Sequence, residues 1–326
     1  MEQPHTSELY VGVDVGGTNL RAGVVDPEGR ILGEARRPAL ADQGMRRSVE
    51  QTIEAIQEAI GNAGYQPTDI RGIGMGVPGG HDSKQGICLF SPNFADSRNV
   101  PVTPPVQEAT GLPTFMLNDV FVTTLGEHRF GAGRGCDNVV MITLGTGIGG
   151  GAIIDGRLPL GHTEGFAEVG HMTIDPDGPV CGCSNRGCWE ALAGRDAIIA
   201  RAVTKIQHGR KTEIAEKVHY RLGSITPALI AHCAEKGDPV ALEVMAETGY
   251  YVGLGVANLI QIYNPEVLIV GGGIAQSGKV LFDPMRRTVQ ARAHMVPAST
   301  CRITPAELGD DAGVIGGAAL VALRLG

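Results

Sequence analysis

The sequence predicts an α/β protein of two domains, and three observations carry that expectation. The chain has 326 residues, more than one hydrophobic core usually fills. A short plan occurs twice, as YVGVDVGGTNLRAGVVD from Tyr10 and as VVMITLGTGIGGGAIID from Val139. Each copy reads as a strand, a glycine-rich hairpin with a Gly-Thr or Thr-Gly step, a strand ending in Asp, and another turn. Strands and helices then alternate through the second half, the mark of α/β layers.

The elements follow in order. Tyr10–Asp14 is apolar and enters the first glycine turn, and the chain leaves as a second strand. Pro27-Glu28-Gly29 turns it into Arg30-Ile31-Leu32. Val49, Ile53, Ile56 and Ile60 recur at helical spacing and stop at Gly61-Asn62. Ile70–Val77 is a strand closed by Pro78-Gly79-Gly80, and Ile87–Phe90 is a short strand leading to Ser91-Pro92-Asn93. Thr114–Leu117 delivers Asn118-Asp119 to a helix running to about Phe130. After the second hairpin, Gly156-Arg157-Leu158 repeats the turn, and Trp189–Gln207 reads as one helix. Asp238-Pro239 opens a long helix, with Asp suited to the cap and Pro to the first turn. That helix ends at Asn264-Pro265. Val267–Val270 is a strand running into Gly271-Gly272-Gly273, a further strand lies near Arg302–Thr304, and an apolar, small-residue helix closes the chain from Asp311 to Leu325.

Composition excludes several classes. A hydrophobic content of 43% with 19% charged residues describes a globular chain. The net charge of −8 and the lack of a long basic run disfavour nucleic acid and anionic membranes as partners. Seven unevenly spread cysteines do not suggest a secreted disulfide framework. The start, MEQPHTSEL, is polar and acidic, unlike a signal peptide, so a cytoplasmic location is expected. The longest uncharged run, Thr248–Pro265, contains Asn258, Gln261 and Asn264 and reads as a buried helix, not a membrane span.

The chemistry concentrates in EGFAEVGHMTIDPDGPVCGCSNRGCWE. His171, Cys181, Cys183 and Cys188 make a full tetrahedral shell for zinc. The C-x-C step is tight, and Gly182 and Gly187 give room for sharp turns. Unrelated cytosolic thiols are the alternative, but three of seven cysteines fall within eight residues. Glu168 and Glu190 are not needed for the shell, so with His171 they are placed to face a polyhydroxylated substrate. Three glycine turns follow apolar strands: Gly16-Gly17-Thr18, Gly145-Thr146-Gly147 and Gly271-Gly272-Gly273. Such turns bring backbone N–H groups close to phosphate, and their hydroxyls add donors. None has the Walker pattern. Asp14, beside the first turn, either helps hold magnesium near the phosphates or accepts from its own turn. Asp119 is either an N-cap or a general base taking a proton from a sugar hydroxyl.

These stretches, with SPNF, LNDVFVTTLGE, LIVGGGIA and DDAGVIGGAAL, resemble the ROK family (repressors, open reading frames, kinases) along nearly the whole chain. The likeness is to its bacterial sugar kinases of glucokinase type. The resemblance implies an actin/hexokinase-like ATPase fold, ribonuclease H-like, with an interdomain cleft. It implies a small domain of residues 1–118 plus 312–326 and a large one of 119–311. It implies ATP with Mg²⁺, structural Zn²⁺, a hexose (most readily glucose) phosphorylated at its 6-hydroxyl, and a homodimer. Asp119 becomes the catalytic base, and Asn93, Asn118, Asp119, Glu168, His171 and Glu190 fall on sugar positions. His171, Cys181, Cys183 and Cys188 fall on the zinc positions. Gly16, Gly17, Thr18, Asn19, Thr146, Gly147, Gly272 and Gly273 fall on the nucleotide turns, with Asp14 beside them. Two departures stand out: Val120-Phe121 follow the Asn-Asp pair, and Ala167 replaces a family glycine before Glu168. Three rivals follow. A sugar-responsive regulator would need a helix-turn-helix domain ahead of the first strand. An actin- or chaperone-like ATPase would leave the His/Cys/Glu cluster without purpose. A kinase for N-acetylmannosamine, N-acetylglucosamine, fructose or allose is the serious competitor, and Ser91-Pro92-Asn93 with the full-length match tilts the reading to glucose.

Overall fold

The computed structural model describes residues 8–325. Most of the polar start read above as no signal peptide lies outside the described residues. The chain divides into two compact units, Met1–Gly135 with Gly156–Phe166 and Glu307–Gly326, and Cys136–Asp155 with Ala167–Ala306.

The first unit is built on strands β1 (Leu9–Val15), β2 (Asn19–Val25), β3 (Ile31–Pro38), β4 (Ile70–Val77) and β8 (Thr114–Asn118) in the order β3-β2-β1-β4-β8. β1 is antiparallel to β2 and parallel to β4, and β4 is parallel to β8. A second, small sheet joins β5 (Gly80–Asp82), β6 (Ile87–Phe90) and β7 (Val100–Pro101). The helices are α1 (Met45–Asn62), α2 (Thr103–Thr110) and α3 (Asp119–Phe130), joined by the C-terminal helix Ala312–Leu325. Val11, Val13, Leu20, Ile56, Ile73 and Met75 are fully buried in one core under α1.

The division falls after Gly135, whereas the resemblance implied a boundary after residue 118, so α3 lies wholly in the first unit. The reason is close packing. A Cβ on Gly316 would meet Val122 O at 1.9 Å, so α3 and the C-terminal helix touch backbone to backbone where no side chain fits. The buried Glu127 side chain of α3 also accepts from the amides of Glu307 and Leu308, at 3.2 and 2.8 Å, fixing the returning chain. Residues 156–166 join the same unit, with Glu164 accepting from the Ser83 amide and hydroxyl.

The second unit repeats the plan. β9 (Val139–Leu144) is antiparallel to β10 (Ile148–Ile153) and parallel to β11 (Val267–Gly271), which is parallel to β12 (Arg302–Pro305). The order β10-β9-β11-β12 matches β2-β1-β4-β8 of the first unit, so the sequence echo is a structural one. β11 is buried at every position, as a central parallel strand covered on both faces requires. Its helices are α4 (Trp189–Ala193), α5 (Arg195–Gln207), α6 (Glu213–Lys217), α7 (Pro227–Glu235), α8 (Pro239–Tyr263) and α9 (Lys279–Arg292). The single helix expected over 189–207 is broken at Gly194, which is extended at ψ 173°. There the Arg195 amide donates to Gly145 O at 3.1 Å instead of continuing the helical ladder. Asp238 caps α8 as expected, accepting from the Ala241 amide at 2.8 Å. Among the described residues no helix is long and apolar enough to cross a membrane.

Candidate active site

In the second unit the cysteine loop folds as a knuckle. Val180 and Arg186 form an antiparallel bridge around the C-x-C turn, and the Cys181 amide donates to Asn185 O at 2.7 Å. A second bridge, Thr173 with Cys188, carries His171 alongside. The result is that His171, Cys181, Cys183 and Cys188 each offer a ligand atom, all within 4.8 Å of one another. Cys181 Sγ is 3.7 Å from His171 Nδ1, and Cys183 Sγ is 3.6 Å from Cys188 Sγ. A tetrahedron with metal–sulfur bonds of about 2.3 Å has edges of about 3.8 Å, so the donor set fits a four-coordinate metal. All four groups keep ligand chemistry, since the cysteines are free thiols. Burial, reinforced by the neighbouring thiols, pushes Cys188 up to about 12, so a cation at the centre would be needed to favour its thiolate. Nδ1 of His171 faces the cluster, which leaves Nε2 on the far side of the ring.

The end of the loop packs against the second glycine turn. Glu190, in the first turn of α4, accepts from the Ile148 amide through Oε2 at 3.1 Å. Its Oε1 lies 3.8 Å from Cys181 Sγ. A Cβ on Gly147 would meet Glu190 Oε2 at 2.2 Å, so the Thr146-Gly147 step has to end in glycine for the carboxylate to sit there. Arg195 adds a second tie, donating through Nη1 to Thr146 Oγ1 at 3.3 Å. The third turn lies beside the second, because Gly271 pairs with Thr143 and Gly272, at φ 83°, packs on Leu144. Thr146, Gly147, Gly272 and Gly273 therefore gather at the C-terminal ends of β9 and β11. Glu168 is exposed just before the 3-10 turn Val169–His171.

The first unit gathers its residues in the same way. Asp14 pairs with Gly76, and Gly76 with Leu117, so Asp14 on β1 and Asp119 just past β8 stand at the same end of the parallel strands that flank β4. Ligands of open α/β sheets bind at such C-terminal edges. The turn Gly16–Asn19 closes with Gly16 N donating to Asn19 O at 3.0 Å, and it leaves Gly17, Thr18 and Asn19 exposed. Asn93 sits against that turn, its Nδ2 3.6 Å from where a Gly17 Cβ would be. Burial pushes the Asp14 carboxyl above its ordinary value, partly opposed by Arg21, so a cation near it would be welcome. The cap of α3 is Asn118: its Oδ1 accepts from Val120 N at 2.9 Å while its Nδ2 donates to Gly79 O at 3.2 Å. Asp119 is the first helical residue, and its Oδ1 also accepts from Val120 N, at 3.0 Å, so the two side chains share that amide. Of the two departures, Phe121 is core, 3% exposed, and Ala167 sits in the left-handed region at φ 58°.

Two residues beyond the sequence reading emerge. Arg195 meets the second glycine turn only because the chain breaks at Gly194, and Glu127 is a carboxylate spent entirely within the fold. Neither carries a spacing signal.

A model of the ROK family matches residues 10–324. The chain belongs to the ROK family. Among curated members, the glucokinase of Thermotoga maritima is 37% identical over 319 residues, covering 97% of this chain and 98% of that one. The glucokinase of Streptomyces coelicolor is 36% identical over 322 residues, covering 96% and 97%. Of solved ROK structures, a glucokinase from Streptomyces griseus in complex with glucose and AMPPNP is 35% identical with a TM-score of 0.83, covering 97% of this chain and 99% of that one. The paired sheets described above are thus the actin/hexokinase-like ATPase fold of the ROK sugar kinases, as the sequence led one to expect.

Proposed function

We propose that this chain is a glucokinase that transfers the γ-phosphoryl group of ATP to the 6-hydroxyl of D-glucose. The observation that carries the reading is Asp119 just past the C-terminal end of β8, at the same sheet edge as Asp14, in a chain that matches glucokinases end to end. Phosphoryl transfer asks mainly for positioning and charge stabilisation. Asp119 takes the hydroxyl proton. Asn118, both of whose side-chain ends are engaged, acts chiefly by holding Asp119 in place. Asn93, Glu168, His171 and Glu190 bind sugar hydroxyls. The amides of Gly16, Gly17, Thr18 and Asn19, with Thr146, Gly147, Gly272 and Gly273, receive the phosphates. Asp14 would orient the Mg²⁺ that accompanies ATP and neutralises phosphate charge.

His171, Cys181, Cys183 and Cys188 would hold one structural Zn²⁺, which when bound stiffens the loop and fixes the tautomer of His171 so that Nε2 faces the sugar. Elemental analysis should find one zinc per chain, and none after Cys188→Ser. The described cysteines are all free, which fits a reducing cytoplasm. The homodimer implied by family likeness is checked by sedimentation.

ATP-dependent ADP release across glucose, fructose, mannose, allose and the N-acetylhexosamines tests the function. Glucose should give the highest kcat/KM. A preference for an N-acetylhexosamine would transfer the same machinery to another sugar, and release independent of any sugar would refute the kinase reading.

A further inference from the structure

We propose that Arg195 is the cationic side chain that grips the phosphate chain of the nucleotide at the Gly145–Gly147 turn; this rests on the kinase reading above. Glycine turns supply amide donors but no full charge, and none of the three in this chain has the lysine of a Walker loop. Arg195 is built into the second turn from two sides. Its amide donates to Gly145 O at 3.1 Å, and its Nη1 donates to Thr146 Oγ1 at 3.3 Å. The preceding residue is equally confined, since a Cβ on Gly194 would meet Glu190 O at 2.8 Å and Thr146 O at 3.1 Å. The guanidinium is thus delivered to the hydroxyl of the residue proposed to meet phosphate, and it stays accessible, with the side chain 46% exposed.

Its other engagement is weak. Nε pairs with Asp196 at 2.8 Å, but Asp196 is 79% exposed, and ion pairs this solvated contribute little and exchange readily. A phosphate arriving at Thr146 meets a planar fork of donors whose geometry matches its oxygens better than an ammonium would. An arginine kept only to buttress the turn would be expected to turn its guanidinium into the protein; this one remains half in solvent with part of its donor set unspent on the turn.

The test is equilibrium binding of AMPPNP, ADP and adenosine to the wild type, Arg195→Ala and Arg195→Lys, with zinc content and melting temperature recorded. Arg195→Ala should weaken AMPPNP and ADP about tenfold or more while leaving adenosine within about twofold. Arg195→Lys should fall between, and added guanidinium ion should restore part of the alanine variant's turnover. Unchanged AMPPNP affinity overturns the proposal. So does an equal loss for adenosine, which would mark Arg195 as a buttress of the turn. A wild type that binds no nucleotide would instead overturn the kinase reading itself, a result the variants cannot produce.

Discussion

The Glu190 carboxylate reaches the Ile148 amide at 3.1 Å, joining a residue two places after a cysteine of the knuckle to the hairpin of the second glycine turn. Its other oxygen lies 3.8 Å from Cys181 Sγ. The elements of the second unit proposed to bind sugar and phosphate therefore share one carboxylate. Glu190→Ala should raise KM for both glucose and ATP, each about tenfold or more, the usual value of a lost charge-assisted bond. Glu190→Gln should be milder. Steady-state kinetics with each substrate varied decides it: a change confined to the glucose KM would mean the tie to Ile148 has no part in shaping the turn.

Asp119 and Asn118 divide their labour, and variants should separate them. Asp119→Asn should lower kcat by roughly 10² to 10⁴ with a melting temperature close to wild type. Asn118→Ala removes the α3 cap and the bond to Gly79, so it should cost about 1 kcal/mol or more of stability besides activity. Urea unfolding alongside turnover reads both. Wild-type turnover in Asp119→Asn would remove it from the mechanism.

Ala167 holds a left-handed backbone at φ 58° where alanine pays a steric cost of roughly 1 kcal/mol. Ala167→Gly relieves that cost but loosens the unfolded chain by a similar amount, so the outcome should lie between neutral and about 1 kcal/mol more stable. Ala167→Val should be clearly destabilising, since β-branched residues tolerate this region worst. Denaturant midpoints rank the three, and a valine variant as stable as wild type would contradict the assigned backbone.

His81, on β5, is 4% exposed, and its Nε2 has no hydrogen-bond partner. Burial lowers its pKa from 6.5 to about 4. The neutral ring is thus favoured in the fold, and the unfolded chain binds the proton first as pH falls. Stability from this group is full above pH 6.5 and drains away towards pH 4, by up to about 3 kcal/mol. Wild type should lose stability relative to His81→Leu across that window, measured as the difference in unfolding free energy at each pH. A constant difference would mean that water or a mobile partner solvates the ring.

Much of this architecture was legible in advance, for local reasons. The doubled strand–glycine–strand plan implied two hairpins of like design because hairpin chemistry is encoded within a few residues. The cysteine cluster implied that four donor groups come together, as they do within 4.8 Å, because ligand spacing is itself local. The break at Gly194 was not legible: Trp189–Gln207 is a sound helical stretch by its residues, and it parts only because the Arg195 amide finds Gly145 O. Nor was the place of α3, whose allegiance rests on contact with a helix almost two hundred residues later in the chain.

The sequence by itself determined the candidate groups: the thiols and imidazole of the knuckle, the glycine turns, and the Asn-Asp pair at the head of α3. Tertiary structure alone decided how they are employed. It made Asn118 the cap and Asp119 the residue after it, tied Glu190 to the Ile148 amide, and brought Arg195 onto Thr146. The physical reason is range. Spacing and turn propensity act across a few residues, whereas a buried or half-buried polar group takes whichever donor the packed chain presents to it, and that partner can lie dozens of residues away.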